Sequence, residues 1–201
     1  MFYDRYVMPA LVSAACATRP IDGVRRQLVP RARGEILELG FGAGANLAHY
    51  DPAKVLRVRG VEPSAAMRNR ARAVPSHVPV ELLPGCAEAL PYPDDSFETI
   101  VCTFTLCTVN DPSGALREAR RVLRPGGGFL YAEHGLAPEP SVVRWQYRLD
   151  PVWSALAGGC HLTRDPEGLL AAAGFAVVQL GSGWLRRTPR FVGWHVWGEA
   201  R

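Results

Sequence analysis

Glu35-Ile-Leu-Glu-Leu-Gly-Phe-Gly-Ala-Gly-Ala-Asn46 is the stretch that decides the fold. Ile36, Leu37 and Leu39 form a short apolar run of the kind buried in parallel sheets. Gly40, Gly42 and Gly44 follow at once and remove the side chains that would keep a ligand from the backbone. A strand that ends in such a turn and opens a helix is a seat for a nucleoside cofactor. Gly40-Phe-Gly42-Ala-Gly44-Ala45 also satisfies the G-x-G-x-x-G/A dinucleotide fingerprint, and Glu62 lies near the offset at which a carboxylate meets a ribose hydroxyl. A nicotinamide dinucleotide and S-adenosylmethionine both remain open on these residues.

Working outward, apolar periodicity predicts a helical N-terminal segment, strand 35–39, helix 44–50, strand 55–61 and helix 64–73. Beyond these come strands 80–83 and 97–104, helix 112–123 and strand 127–133. Strands separated by helices imply a parallel, doubly wound sheet. Asp111-Pro112 gives an N-cap with proline at the first helical position, and Arg120, Arg121 and Arg124 put cations where the helix dipole favours them. From Pro138 to Gly159 the pattern is helical and tryptophan-rich, before Asp165-Pro166 starts a helix that ends at Gly174. Phe175 to Leu180 and Phe191 to Trp197 read as a final antiparallel hairpin.

The 201 residues, 48% hydrophobic and 21% charged, suffice for one domain with a full core and no cross-links. We therefore expect a single domain over 1–201, with residues 1–30 as a helical lid and 138–164 as a substrate cover. No apolar run reaches the roughly 18 residues that a bilayer span needs. Asp4, Arg5 and Pro9 interrupt residues 1–17, which suit an amphipathic lid better than a signal peptide. A peripheral membrane contact shares that pattern.

The formal charge of +4 rests on arginine, since Lys54 is the only lysine. Pairs such as Arg25-Arg26, Arg31 with Arg33, and Arg186-Arg187 are scattered, so a solvated basic surface is expected rather than a nucleic-acid interface. Cysteines 16, 86, 102, 107 and 160 form no C-x-x-C pair and are odd in number, which argues against a disulfide framework or a zinc site and for a reducing cytoplasm.

Leu90-Pro-Tyr-Pro-Asp-Asp-Ser-Phe-Glu-Thr-Ile-Val-Cys102 followed by Arg121-Val-Leu-Arg-Pro-Gly-Gly-Gly-Phe-Leu-Tyr131 resembles the class I S-adenosylmethionine-dependent methyltransferases from about Arg33 to Glu133. The resemblance implies a Rossmann-like, mostly parallel seven-stranded sheet with helices on both faces and an antiparallel last strand. Val101-Cys-Thr-Phe-Thr-Leu-Cys-Thr-Val109, Glu133-His134 and Gly159-Cys-His-Leu-Thr-Arg164 are similar to the alkyl thiol methyltransferases and their small bacterial relatives. Sulfur is therefore the leading acceptor. The mammalian proteins carry an apolar anchor before the domain, and nothing comparable stands in this sequence.

On that resemblance the cofactor's sulfonium and amino-acid end lies over the turn from Gly40 through Phe41, Gly42 and Gly44 to Asn46. Glu38 influences the cationic methionine moiety, and Glu62 accepts from the ribose hydroxyls. Pro63 and Met67 pack on the adenine. Cys86 stands where the family commonly has Asp, which leaves the ring contact to Ala87 and Glu88, while Thr103 and Cys107 border cofactor and acceptor. A thiol of pKa about 8.5 needs only modest activation. His134, at the carboxyl edge after strand five, is the first candidate base and His161 the second. His49, His77 and His195 read as surface or packing residues. Trp145, Tyr147 and Trp153, with Tyr3 and Tyr6, either pack the cover onto the sheet or form an aromatic wall for an apolar acceptor, and Arg164 offers a partner for an anionic group or a helix end.

The expected function is methyl transfer to a small-molecule acceptor, a thiol first, by a monomer or homodimer without metal. Methylation at oxygen, nitrogen or carbon of a quinone, lipid headgroup or specialised metabolite is the enzymatic alternative. A cofactor-binding module without turnover is the non-enzymatic one.

Overall fold

Five of the apolar segments align side by side in parallel. A computed structural model describes residues 8–186 and 188–201. Strand β1 (Gly34–Leu39) pairs in parallel with β2 (Val55–Val61) and β4 (Phe97–Thr103). β3 (Val80–Leu83) extends the sheet beyond β2, and β5 (Leu123–His134) beyond β4. The strand order is β3-β2-β1-β4-β5-β7-β6, with β7 (Trp194–Ala200) antiparallel to both β5 and β6 (Val177–Trp184). The order reverses between β1 and β4. A crevice opens at the carboxyl ends of strands on either side of such a reversal.

Alternation along β1 and β4 divides the core into two layers. Leu37, Leu39, Ile100 and Cys102 join the layer under α4 (Pro112–Val122) and α6 (Pro166–Ala172). Ile36, Val58 and Val101 join Val24 and Leu28 of α2 (Arg19–Leu28) on the other face. Each fully buried leucine or isoleucine contributes about 1.5–3 kcal/mol. The helix expected at 112–123 is capped as its sequence predicts, with Asp111 accepting from the Gly114 amide at 2.9 Å.

Three segments depart from expectation. No α-helix forms over 44–50, where only a 3-10 turn, Leu47–His49, is present. Gly44 takes φ +82°, outside helical space, and Pro52 disfavours helix at Asp51. β6 starts later and runs further than 175–180, because Phe175 turns into the core against Phe129. Gly181 continues that strand beneath the ring of Trp197, where a Cβ would lie 2.3 Å from the indole. The last strand begins at Trp194 rather than Phe191, after a single helical turn, α7 (Arg190–Gly193).

Helix α1 (Met8–Cys16) lies within the expected lid, and α5 (Pro140–Leu156) within the expected cover. No helix among the described residues is long and apolar enough to cross a membrane. Tyr3 and Tyr6 lie outside the described residues, as does Arg187. Trp145 and Tyr147 are 55% and 59% exposed, so they do not form the inward wall expected of them.

Candidate active site

The carboxyl ends of β1, β2 and β4 enclose a cleft of about 460 Å³, covered on one side by Val12, Ser13 and Cys16 of α1. Gly40 and Gly42 hold the turn open with φ of +66° and +56°. At Gly40 a Cβ would lie 2.2 Å from Thr105 Oγ1, so the close passage of these two segments requires glycine. Phe41 also borders the cleft, with its ring fitted against the bare Cα of Gly60. Phe104 adopts φ +56°, a left-handed conformation rare for an aromatic residue, at the turn where β4 meets the cleft.

Glu62 ends β2 with its carboxylate fixed from both sides. Oε2 accepts from the Gly42 amide at 2.9 Å and Oε1 from the Ser64 amide at 2.8 Å. Burial pushes this carboxyl up, and the two amides hold it back. Pro63 and Met67 line the same end, where Ser64 caps α3 (Ala65–Ala71) by accepting from the Met67 amide. Cys86 and Ala87 lie across the cleft from them. Glu88 borders it too, but its Oε1 accepts from the amides of Asn110 and Asp111 and tethers the loop before α4.

Glu38 is buried at the end of β1. It accepts from Tyr50 Oη at 2.5 Å and from Asn46 Nδ2 at 2.9 Å, and Asn46 Nδ2 also donates to Thr103 Oγ1 at 3.0 Å. Burial pushes the Glu38 carboxyl up to about 7, against the pull of Tyr50, Asn46 and the nearby Arg25. Arg25 was expected as half of a surface pair and is instead 4% exposed, with its guanidinium 5.1 Å from the centre of the Phe104 ring. Its Nη1 donates to the Cys16 carbonyl, while Nε has no partner among the described residues. Asn46 Oδ1 is likewise unpartnered there. These two buried polar atoms belong to residues that line the cleft and fit the carboxylate and ammonium of an amino-acid ligand.

A family model described as "Methyltransferase domain" matches residues 37–131. The human thiol S-methyltransferase TMT1B is 32% identical over 98% of this chain and 85% of its own length. The chain belongs to the methyltransferase family that contains the thiol S-methyltransferases. Human TMT1A is 36% identical over 75% of this chain and 64% of its own. A solved S-adenosylmethionine-dependent methyltransferase of Thermotoga maritima matches with a TM-score of 0.66 at 25% identity, over 99% of this chain and 97% of that one.

The methyltransferase therefore uses S-adenosylmethionine, which closes the choice left open by the glycine turn. Its buried Glu133 holds the turn that follows β4. One oxygen accepts from the amides of Thr105 and Leu106 at 2.7 and 2.9 Å, and the other from the Cys107 amide at 3.4 Å. Burial pushes Glu133 up to about 7 and those amides oppose it.

Cys107, His134 and His161 do not border the cleft themselves. His134 Nε2 lies 2.8 Å from Cys160 Sγ, to which Trp153 Nε1 also donates at 3.4 Å. Burial pushes the His134 imidazole down, but contact with Cys160 outweighs it and the net direction is up. His161 Nδ1 lies 3.0 Å from Asp150 Oδ2 and its amide donates to the Cys107 carbonyl at 2.8 Å. Arg164 donates to the Leu106 carbonyl rather than facing an anion. The sequence reading missed Arg25 and the grouping of Cys107 with Cys160, for which no local spacing exists. For Arg25 the amphipathic pattern of α2 was an available signal.

Proposed function

We propose that this methyltransferase alkylates a small-molecule thiol. The observation that carries this reading is the state of the acids along the cleft: Glu38, Glu62 and Glu88 each already accept from donors of the chain. Each is committed, Glu38 to Tyr50 and Asn46, Glu62 to the Gly42 and Ser64 amides and Glu88 to the loop before α4, whereas a thiol ionises close to neutral pH and asks for no strong base. The names of the two human relatives support the same acceptor.

In this reading Glu62 takes the ribose hydroxyls, Pro63, Met67, Cys86 and Ala87 flank the adenine, and Glu88 fixes the loop beside it. Arg25 holds the carboxylate of the amino-acid end, Asn46 its ammonium, and Glu38 with Thr103 offsets the sulfonium charge. Bound there, S-adenosylmethionine would supply an activated methyl group to the acceptor sulfur. Helix α1 excludes water over the cleft, and the Thr105–Thr108 turn, held by Glu133, positions the acceptor. Positioning of this kind contributes up to roughly 7–11 kcal/mol in the best intramolecular models. His134 does not line the cleft and so takes no proton from the acceptor directly, while His161 with Asp150 braces the wall formed by Thr108 and Gly158. The expected location is the cytoplasm, where thiols stay reduced.

Incubation with S-adenosylmethionine and matched thiol and alcohol analogues tests the reading by product mass. Methyl thioether and S-adenosylhomocysteine should accumulate together. Methylation of the alcohols in preference to the thiols would overturn the acceptor assignment and leave the family unaffected.

A further inference from the structure

Cys107, His134 and Cys160 come from three separate elements: the turn after β4, the end of β5 and the loop after α5. The fold brings one ligand atom from each to within 4.8 Å of the others. These are also the three stretches that resemble the thiol methyltransferases, and none of the three side chains lines the cofactor cleft. We propose that they bind a soft divalent metal ion of the zinc class.

Two thiolates and a neutral imidazole around a divalent ion have no net charge, which lets the group sit in an interior that tolerates no uncompensated ion. Cys107 and His134 are 4% and 5% exposed. Zinc bonds of about 2.3 Å to sulfur and 2.0–2.1 Å to nitrogen separate tetrahedral ligands by roughly 3.5–3.8 Å, within small side-chain adjustments of this cluster. Hydrogen-bonding partners already face both sulfurs. Trp153 Nε1 donates to Cys160 Sγ, and the Thr108 hydroxyl lies 3.4 Å from Cys107 Sγ. Metal thiolates take such outer partners, and these restrain the cysteine rotamers.

The backbone of Cys107 is held on both sides, its amide by Glu133 and its carbonyl by His161. His134 Nε2 is the ring atom that faces Cys160 Sγ, at 2.8 Å, and is the nitrogen that would bind the ion. Three protein ligands leave a fourth position for water or a thiolate, as in catalytic rather than structural zinc sites. Thr108 and Gly158, neighbours of two of the ligands in sequence, line the cleft, which places the cluster against its wall.

The test is metal content of the reduced full chain after addition of Zn²⁺ and removal of excess, together with the near-ultraviolet thiolate charge-transfer band after addition of Co²⁺. One tightly held equivalent and a two-thiolate band are expected, with both lost in Cys107→Ser and Cys160→Ser and retained in Cys86→Ser. Binding of S-adenosylhomocysteine by the two serine variants reports that they are folded. Should both fail to fold, protection of the wild-type thiols from alkylation by added Zn²⁺, mapped by peptide mass at Cys107 and Cys160, replaces them. A wild-type chain that takes up no Zn²⁺ or Co²⁺, equal uptake by folded serine variants, or unprotected thiols would overturn the proposal. None of these readouts involves the acceptor, so the outcome is independent of the thiol assignment.

Discussion

The carboxylate of Glu62 and the backbone amide of Gly42 are joined by a 2.9 Å hydrogen bond, which makes the end of β2 and the glycine turn one binding unit. Glutamine at 62 keeps one acceptor oxygen but points an NH₂ group at one of the two amides that hold the carboxylate. Charge-assisted hydrogen bonds contribute about 1.5–3 kcal/mol, so Glu62→Gln is expected to weaken S-adenosylhomocysteine binding about 10- to 100-fold. Calorimetric titration measures this, and an unchanged Kd would remove Glu62 from the cofactor site.

Gly40→Ala combines a left-handed backbone with a Cβ 2.2 Å from Thr105 Oγ1. Thr105 cannot retreat freely, because its hydroxyl donates to the carbonyls of Leu39 and Thr103. A loss of about 2–4 kcal/mol in urea unfolding is expected. Gly183→Ala, where a Cβ meets nothing within 4 Å, should cost far less. Equal losses would mean that the Gly40 contact is not the cause.

Arg25→Met separates the two ends of the cofactor. S-adenosylhomocysteine should bind about tenfold more weakly or worse, since a charged hydrogen bond to its carboxylate is lost. 5′-Methylthioadenosine, which lacks the amino acid, should bind nearly as before. A parallel fall for both ligands would assign Arg25 to the packing of α2 instead.

His195 is 3% exposed, and burial pushes its imidazole down to about 4. Between the ordinary histidine value and 4 the unfolded chain holds the extra proton, so this group costs stability as pH falls from about 6.5 towards 4. The loss is about 3 kcal/mol at most. Glu38 and Glu133, raised to about 7, have the opposite slope and lose stability as pH rises from about 4.5 to 7. Comparison with His195→Phe isolates the histidine. Wild type should lose stability relative to the variant across pH 6.5 to 4, and parallel curves would contradict a buried neutral imidazole.

Local signals made much of this fold legible. Strands 55–61 and 80–83 stand where apolar runs between turn residues put them, and Asp111 and Asp165 cap the helices that their Asp-Pro pairs announced. The glycine turn, Glu62 and Met67 likewise lie together on one cleft. What escaped reading depends on contacts distant in sequence. The burial of Arg25 is set by Phe104 and Cys16, and the length of β6 by how Gly181 meets Trp197. Trp145 and Tyr147 looked inward by composition, but their positions on α5 face solvent. The pairing of His134 with Cys160 follows from the return of the chain after α5, which no local periodicity records.

The most direct measurement of acceptor chemistry uses a mercaptoalcohol, which carries both nucleophiles in one molecule, with S-adenosylmethionine labelled by ¹³C at the methyl group. Carbon NMR of the product identifies the atom that receives the label. The label is predicted on sulfur, with an equal amount of S-adenosylhomocysteine formed. Label on oxygen, or cofactor left intact while it binds, would contradict methyl transfer to a thiol.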